Sequence, residues 1–245
     1  MNQKEIDREL ERQFGLFLSQ NLYPKCNIKI KERVTDKDRQ LQGIDIILED
    51  GTNIDEKSQL SYINNGLPTF AFELDFINSV GKWNIGWLFN PTLLTESYFI
   101  CRHIYTNENE NREDIYKQIR DKKNIDFKSA LVQRLNKDDL YRELIKSDFL
   151  DENKLLSYAK LIRSYIDENI KKYNLSNCKI SNSELFIYKI SNYEKGDRVY
   201  IKIPEINEKL GYITYTTYLD ERPINLVLRD TFLSRAKLSF IANAE

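Results

Sequence analysis

An α/β (α+β) fold is what the sequence predicts: a β-rich core, a helical middle and a stranded C-terminal part. Three observations lead there. Ile6, Leu10, Phe14, Phe17 and Leu18 recur at helical spacing near the start. Between residues 26 and 105, apolar residues alternate or run in short blocks, as in strands. Beyond a polar joint at 107–114 the pattern returns first to helices and then to strands.

Taken in order, the first helix is expected over Lys4 to Asn21. A strand over Cys26 to Val34 follows, in which Ile28 and Ile30 alternate with Lys29 and Lys31. Gly43 to Leu48 reads as a buried strand, Asp50-Gly51 as a turn and Asn53 to Ser58 as the returning strand. In Thr69 to Phe76, one face takes Phe70, Phe72, Leu74 and Phe76, and the other Ala71, Glu73 and Asp75. A loop from Gly81 to Pro91 precedes a strand at Ser97 to Tyr105. Helices are expected at 112–122, 127–135, 138–147 and 152–173. Strands are expected at Glu184 to Ile190, Arg198 to Ile203, Tyr212 to Leu219 and Asn225 to Leu228. The division is a core, 1–106, and a helical then β-rich C-terminal extension, 107–245, either separate or packed with the core as one domain.

Composition narrows the function. The 37 basic residues against 38 acidic ones argue against a tail-driven nucleic-acid binder, yet leave room for a local basic groove beside an acidic metal site. Cys26, Cys101 and Cys178 are far apart and read as small core residues rather than a disulfide framework. A single histidine, His103, argues against zinc hydrolases built on several His ligands. The polar start and the lack of any run of ~20 apolar residues lead us to expect a soluble, cytoplasmic protein.

The residues with chemistry lie in GIDIILEDGTNIDEK. Asp45 interrupts an apolar strand, where an unpaired carboxylate is costly and wants a partner. Asp55 and Lys57 are two apart and share a strand face. Two acids and a lysine are what phosphodiester hydrolysis needs: carboxylates for a hard cation, an amine for the attacking water. Loop length decides whether Asp45 joins them. A two-residue turn at Asp50-Gly51 pairs Asp45 with Glu56 and sends Asp55 and Lys57 to the other face. A three-residue turn, Asp50-Gly51-Thr52, pairs Asp45 with Lys57 and sets Asp55 opposite Ile47; its apolar match is better. The plainer alternative is a surface salt-bridge cluster on a hairpin.

This segment resembles the signature of the PD-(D/E)xK, restriction-endonuclease-like nucleases, with Asp45 as the first acid and Asp55-Glu56-Lys57 as the D/E-x-K. Ile44 stands where the proline would be. QLQGIDI, IDEKSQ, PTFAFELDF and GWLFNP together look like an uncharacterised bacterial and phage family assigned to that class. The resemblance covers about residues 1 to 105. It implies a central mixed sheet flanked by helices, a Mg²⁺ (or Mn²⁺) cofactor, and a DNA substrate cut to leave a 5′-phosphate. RNA cleavage and a homodimer stay open. Asp45 and Asp55 would hold the metal with the Glu56 carbonyl, and Lys57 would orient water. Members often add an acid from the first helix: Glu11, slightly preferred here to Asp7. Gln59, two past Lys57, is a substrate-contact candidate, and Lys29 and Lys31 are candidates for phosphate. Glu73, Trp83 and Trp87 read better as structural. The second function class is a nuclease-fold protein without turnover, acting as a nucleic-acid-binding or assembly module.

Overall fold

A computed structural model describes residues 1–78, 80–147, 151–169, 180–181, 186–193, 196–202, 206–216, 222–234 and 239–241. Helix α1 (Gln3–Phe17) runs through a π turn (Leu18–Leu22) into the short α2 (Tyr23–Lys25). Strand β1 (Ile30–Arg33), α3 (Lys37–Leu41), β2 (Ile46–Leu48) and β3 (Asn53–Ser58) follow. Next come β4 (Thr69–Ile77), β5 (Trp83–Ile85), β6 (Ser97–Thr106), α4 (Arg112–Arg120) and β7 (Phe127–Asn136). After α5 (Lys137–Lys146) and α6 (Glu152–Asn169) stand β8 (Ile180–Ser181), β9 (Phe186–Tyr193) and β10 (Gly196–Lys202). The chain ends through β11 (Gly211–Thr216), β12 (Arg222–Arg229), α7 (Asp230–Leu233) and β13 (Ser239–Ile241). It is a mixed α+β protein. Among the described residues, no helix is long and apolar enough to cross a membrane.

The chain forms two compact units. The first comprises Met1–Pro68, Leu93–Lys137 and Lys237–Glu245; the second comprises Thr69–Thr92 and Asp138–Ala236. The division therefore crosses the chain several times, where the sequence suggested a single boundary at 106/107.

The first unit is a sheet in the order β1-β2-β3-β6-β7-β13, antiparallel except where β3 runs parallel to β6. A parallel pair needs a long crossover. Residues 59–96 supply it and carry β4 and β5 into the second unit. Helix α1 starts from a capping box: Asn2 Oδ1 accepts the Glu5 N–H at 3.0 Å, and Glu5 Oε2 accepts the Asn2 N–H at 2.8 Å. Ile6, Leu10, Phe14 and Leu18, spaced by four, share one core with Ile46, Ile54, Phe99, Cys101 and Val132 of the sheet. Each such burial stabilises by roughly 2 kcal/mol. Ile115 and Ile119 of α4 join the same core.

Three expectations need correcting here. Residues 127–135 are not a helix but most of strand β7, with Ala130, Val132, Gln133 and Leu135 all buried. Pairing with β6 and β13 on both edges overrides the helix preference of Ala, Leu, Gln and Arg. The first strand begins at Ile30, not Cys26, because the α1–α2 run extends to Lys25. The 81–91 segment holds a strand, β5, paired with the end of β4.

The second unit is antiparallel throughout, in the order β5-β4-β12-β11-β10-β9-β8. Here the simple alternation expected for β4 fails. Asp75 pairs with Ile224 but Glu73 with Asn225, so Leu74 is an extra residue that flips the faces after it. Asp75 is consequently buried while Phe76 is only half-buried. Asp75 is matched by Arg163 of α6, whose guanidinium lies 4.8 Å above the Trp83 ring. Trp87 packs on Phe72 at 5.4 Å, so both tryptophans anchor this unit's interior. The expected continuation of α6 to residue 173, the strand residues 184–185, 203 and 217–219, and Cys178 lie outside the described residues.

Candidate active site

The β2–β3 hairpin decides the site. Ile46 pairs with Ile54 and Ile47 with Asn53. The loop is odd, as the three-residue option requires, but it is Glu49-Asp50-Gly51 rather than Asp50-Gly51-Thr52, which moves each partner on β3 two residues earlier than expected. Thr52 stands across from Leu48, whose N–H donates to Thr52 O at 3.1 Å. Gly51 takes φ 89° and donates its N–H to Leu48 O at 3.0 Å, while Asp50 Oδ1 accepts the Thr52 N–H at 2.9 Å. An aspartate closing its own turn and a glycine in the left-handed region fix this tighter loop. Asp45 stands just before β2, which begins at Ile46 and not at Gly43 as expected; its N–H donates to Ile54 O at 2.8 Å, and its carboxyl comes beside Asp55.

The parity puts Ile46 and Ile54, both fully buried, on one face and Asp45, Asp55 and Lys57 on the other. Asp45 Oδ2 accepts the backbone N–H of Glu56 at 2.8 Å, which ties the first acid to β3. Lys57 Nζ lies 2.9 Å from Asp55 Oδ1. The Asp55 carboxyl is also within hydrogen-bonding reach of the Asp45 carboxyl. Burial pushes Asp55 up to about 7, and the charge of Asp45 adds to this against the pull of Lys57. Asp55 Oδ2 is buried and, among the described residues, receives no N–H or O–H donor. Two acids crowd one point, and a proton or a cation has to relieve them.

No protein-family model, curated protein or solved structure matches this chain.

The other candidates separate by position. Glu11 on α1 is exposed, yet surrounded by enough protein that desolvation raises its carboxyl; Asp7 and Asp45 push the same way and Lys57 opposes them. Glu11 is thus within electrostatic reach of the Asp45/Lys57 pair. Asp7 is occupied elsewhere, accepting from Tyr116 Oη at 2.8 Å and Gln3 Nε2 at 3.0 Å. The Glu56 side chain points to the opposite face from Asp55, where it meets Arg33 Nη2 at 3.1 Å and Tyr23 Oη at 2.5 Å. Only its backbone is left for the role sketched from sequence. Strand β3 stops at Ser58, and Gln59 opens a 3-10 turn instead of continuing the strand beside Lys57. Lys31 occupies a bulge in β1 and Lys29 lies 3.7 Å from Glu49; both are exposed. Glu73 lies on β4 in the second unit.

Sequence reasoning missed Arg33 and Tyr23, which grip Glu56 from behind the acid face, and Ser19, which braces Arg33. Arg33 carried no role of its own in the sequence reading, although the spacing of Gly15, Ser19 and Tyr23 by four is visible there.

The donor set fits a hard divalent cation. Mg²⁺ takes oxygen ligands, commonly one or two carboxylates, and keeps several waters. Asp45 and Asp55 supply the two carboxylates, and the donor-less Asp55 Oδ2 is an oxygen in need of a positive partner. Among the described residues, no three acidic, His or Cys side chains form a closed metal cage.

Proposed function

We propose that this chain is a Mg²⁺- or Mn²⁺-dependent nuclease that hydrolyses DNA phosphodiester bonds, as its resemblance to the PD-(D/E)xK class implies. The observation that carries the reading is Asp45 facing Asp55 on one side of the hairpin, with the Lys57 ammonium 2.9 Å from Asp55 Oδ1.

Asp45 and Asp55 would hold the cation, with the Glu56 carbonyl as a third oxygen. Bound there, the metal would polarise the scissile phosphate and lower the pKa of a water. Asp45 is oriented by the Glu56 N–H, so its free oxygen is presented rather than left to rotate. Lys57 can direct a water with its N–H donors and stabilise charge gathering on the phosphate oxygens. Its contact to Asp55 holds the amine in place. Glu11, with its raised carboxyl, would help to hold the cation through one of its waters and is suited to accept a proton from it.

The test is to incubate plasmid, linear duplex, single-stranded DNA and RNA with Mg²⁺ or Mn²⁺, beside Lys57→Ala. Cleavage lost in the variant supports the reading, and the substrate cut fastest separates DNA from RNA chemistry. Equal cleavage by both proteins refutes the site. Binding to DNA without cleavage of any substrate favours the module that keeps the fold without turnover.

A further inference from the structure

Glu11, Gly15, Ser19 and Tyr23 are spaced by four along the first helical run. In a regular α-helix such a stripe drifts by about 40° at each step, so its two ends would face different neighbours. Here the run opens into a π turn over Leu18–Leu22, where the Tyr23 N–H reaches back to Leu18 O. The wider turn takes up the drift, and such insertions tend to mark functional positions.

The lower three residues of the stripe converge on the Arg33–Glu56 pair. Arg33 Nε donates to Ser19 Oγ at 2.8 Å, and Ser19 Oγ donates in turn to Gly15 O at 2.9 Å. Arg33 Nη2 and Nη1 reach the two Glu56 oxygens at 3.1 and 3.4 Å, and Tyr23 Oη donates to Glu56 Oε2 at 2.5 Å. Gly15 leaves the space for this: a Cβ there would stand 3.0 Å from Arg33 Nη1. The arrangement bolts the α1 run to β3 through the residue between Asp55 and Lys57. The upper end of the stripe is Glu11.

We infer that Arg33 is a positioning residue: its fork to Glu56, braced by Ser19 and Tyr23, sets helix α1 against β3 and so places Glu11 beside the Asp45–Asp55–Lys57 face. The inference rests on the metal-site reading above. Its distinct content is that Arg33 acts through Glu11.

A double-mutant cycle tests it, read as Mn²⁺ affinity by calorimetric titration of the full-length protein, with thermal melting alongside. Arg33→Lys keeps a positive charge opposite Glu56, so the buried carboxylate is not stranded, but loses the planar fork. Tyr23→Phe removes only the hydroxyl and serves if Arg33→Lys fails to fold. Glu11→Gln and Arg33→Lys are each expected to weaken Mn²⁺ by about tenfold, in the range typical of groups that orient metal ligands. The double variant is expected to be no weaker than Glu11→Gln alone. Multiplying losses near 100-fold, or an Arg33→Lys variant with lower melting temperature and unchanged Mn²⁺ affinity, would make Arg33 merely structural and overturn the inference. Absence of Mn²⁺ binding by the unaltered protein would instead remove the metal-site reading, and this inference with it.

Discussion

Asp45, just before β2, and Asp55 on β3 hold their carboxyls in hydrogen-bonding reach, and Asp55 is only 2% exposed. Its pKa of about 7 lies above the usual carboxylate range, first through burial and then through Asp45. The folded state therefore holds a proton that the unfolded chain gives up near pH 4. That contribution to stability is complete below about pH 4 and is lost as pH rises toward 7. Asp55→Asn cannot ionise, so the metal-free variant should be more stable than the parent by roughly 2–4 kcal/mol at pH 8, and about equal to it at pH 4. Chemical denaturation at both values checks this; parallel behaviour of the two proteins would show that Asp55 is not strained by its neighbour.

On the proposed reading, Lys57 would direct the reacting water rather than hold the metal. Lys57→Ala should lower single-turnover cleavage by about 100-fold or more, as removal of a charge-stabilising donor does. Its Mn²⁺ affinity should stay within a few-fold of the parent value. A large loss of metal affinity would assign the lysine to assembling the site instead.

The turn that sets the parity depends on Gly51 at φ 89°. Gly51→Val should destabilise by about 1–3 kcal/mol, because a β-branched residue is strained there. Gly51→Asn, which tolerates the left-handed region, should cost far less. Equal melting temperatures for the two variants would show that the loop can re-form in another register.

Lys31 on the edge strand β1 and Lys29 just before it are exposed, and their role is electrostatic if they meet substrate at all. Replacing both with alanine should weaken DNA binding and reduce the salt dependence, by a slope of about 2 if each contacts one phosphate. Binding with an unchanged salt slope would place the phosphate track elsewhere.

Much of the site was legible because strand parity is a strong constraint. Ile46 and Ile54 must be buried together, and once they are, Asp45, Asp55 and Lys57 share the other face whatever odd loop connects them. The choice between odd loops was not legible, since it turns on Asp50 capping the Thr52 N–H, a contact worth about 1 kcal/mol. The helix expected at 127–135 failed for a different reason: FKSALVQRLN has helix-forming residues, and only pairing with β6 and β13 makes it a strand. Glu56 could not be assigned a face without the register, and its grip by Arg33 and Tyr23 joins residues 23 to 33 positions apart in sequence.

The central claim is that Asp45 and Asp55 form a divalent-cation site whose shared strain the metal relieves. Calorimetric titration of Mn²⁺ at pH 6, in two buffers of different ionisation enthalpy, tests it most directly. The account predicts binding at one site with release of about one proton, since Asp55 is mostly protonated at that pH and must ionise to ligate. It also predicts that Asp55→Asn loses both the binding and the proton. Binding of Mn²⁺ that survives Asp55→Asn with the same affinity and proton count would contradict the account.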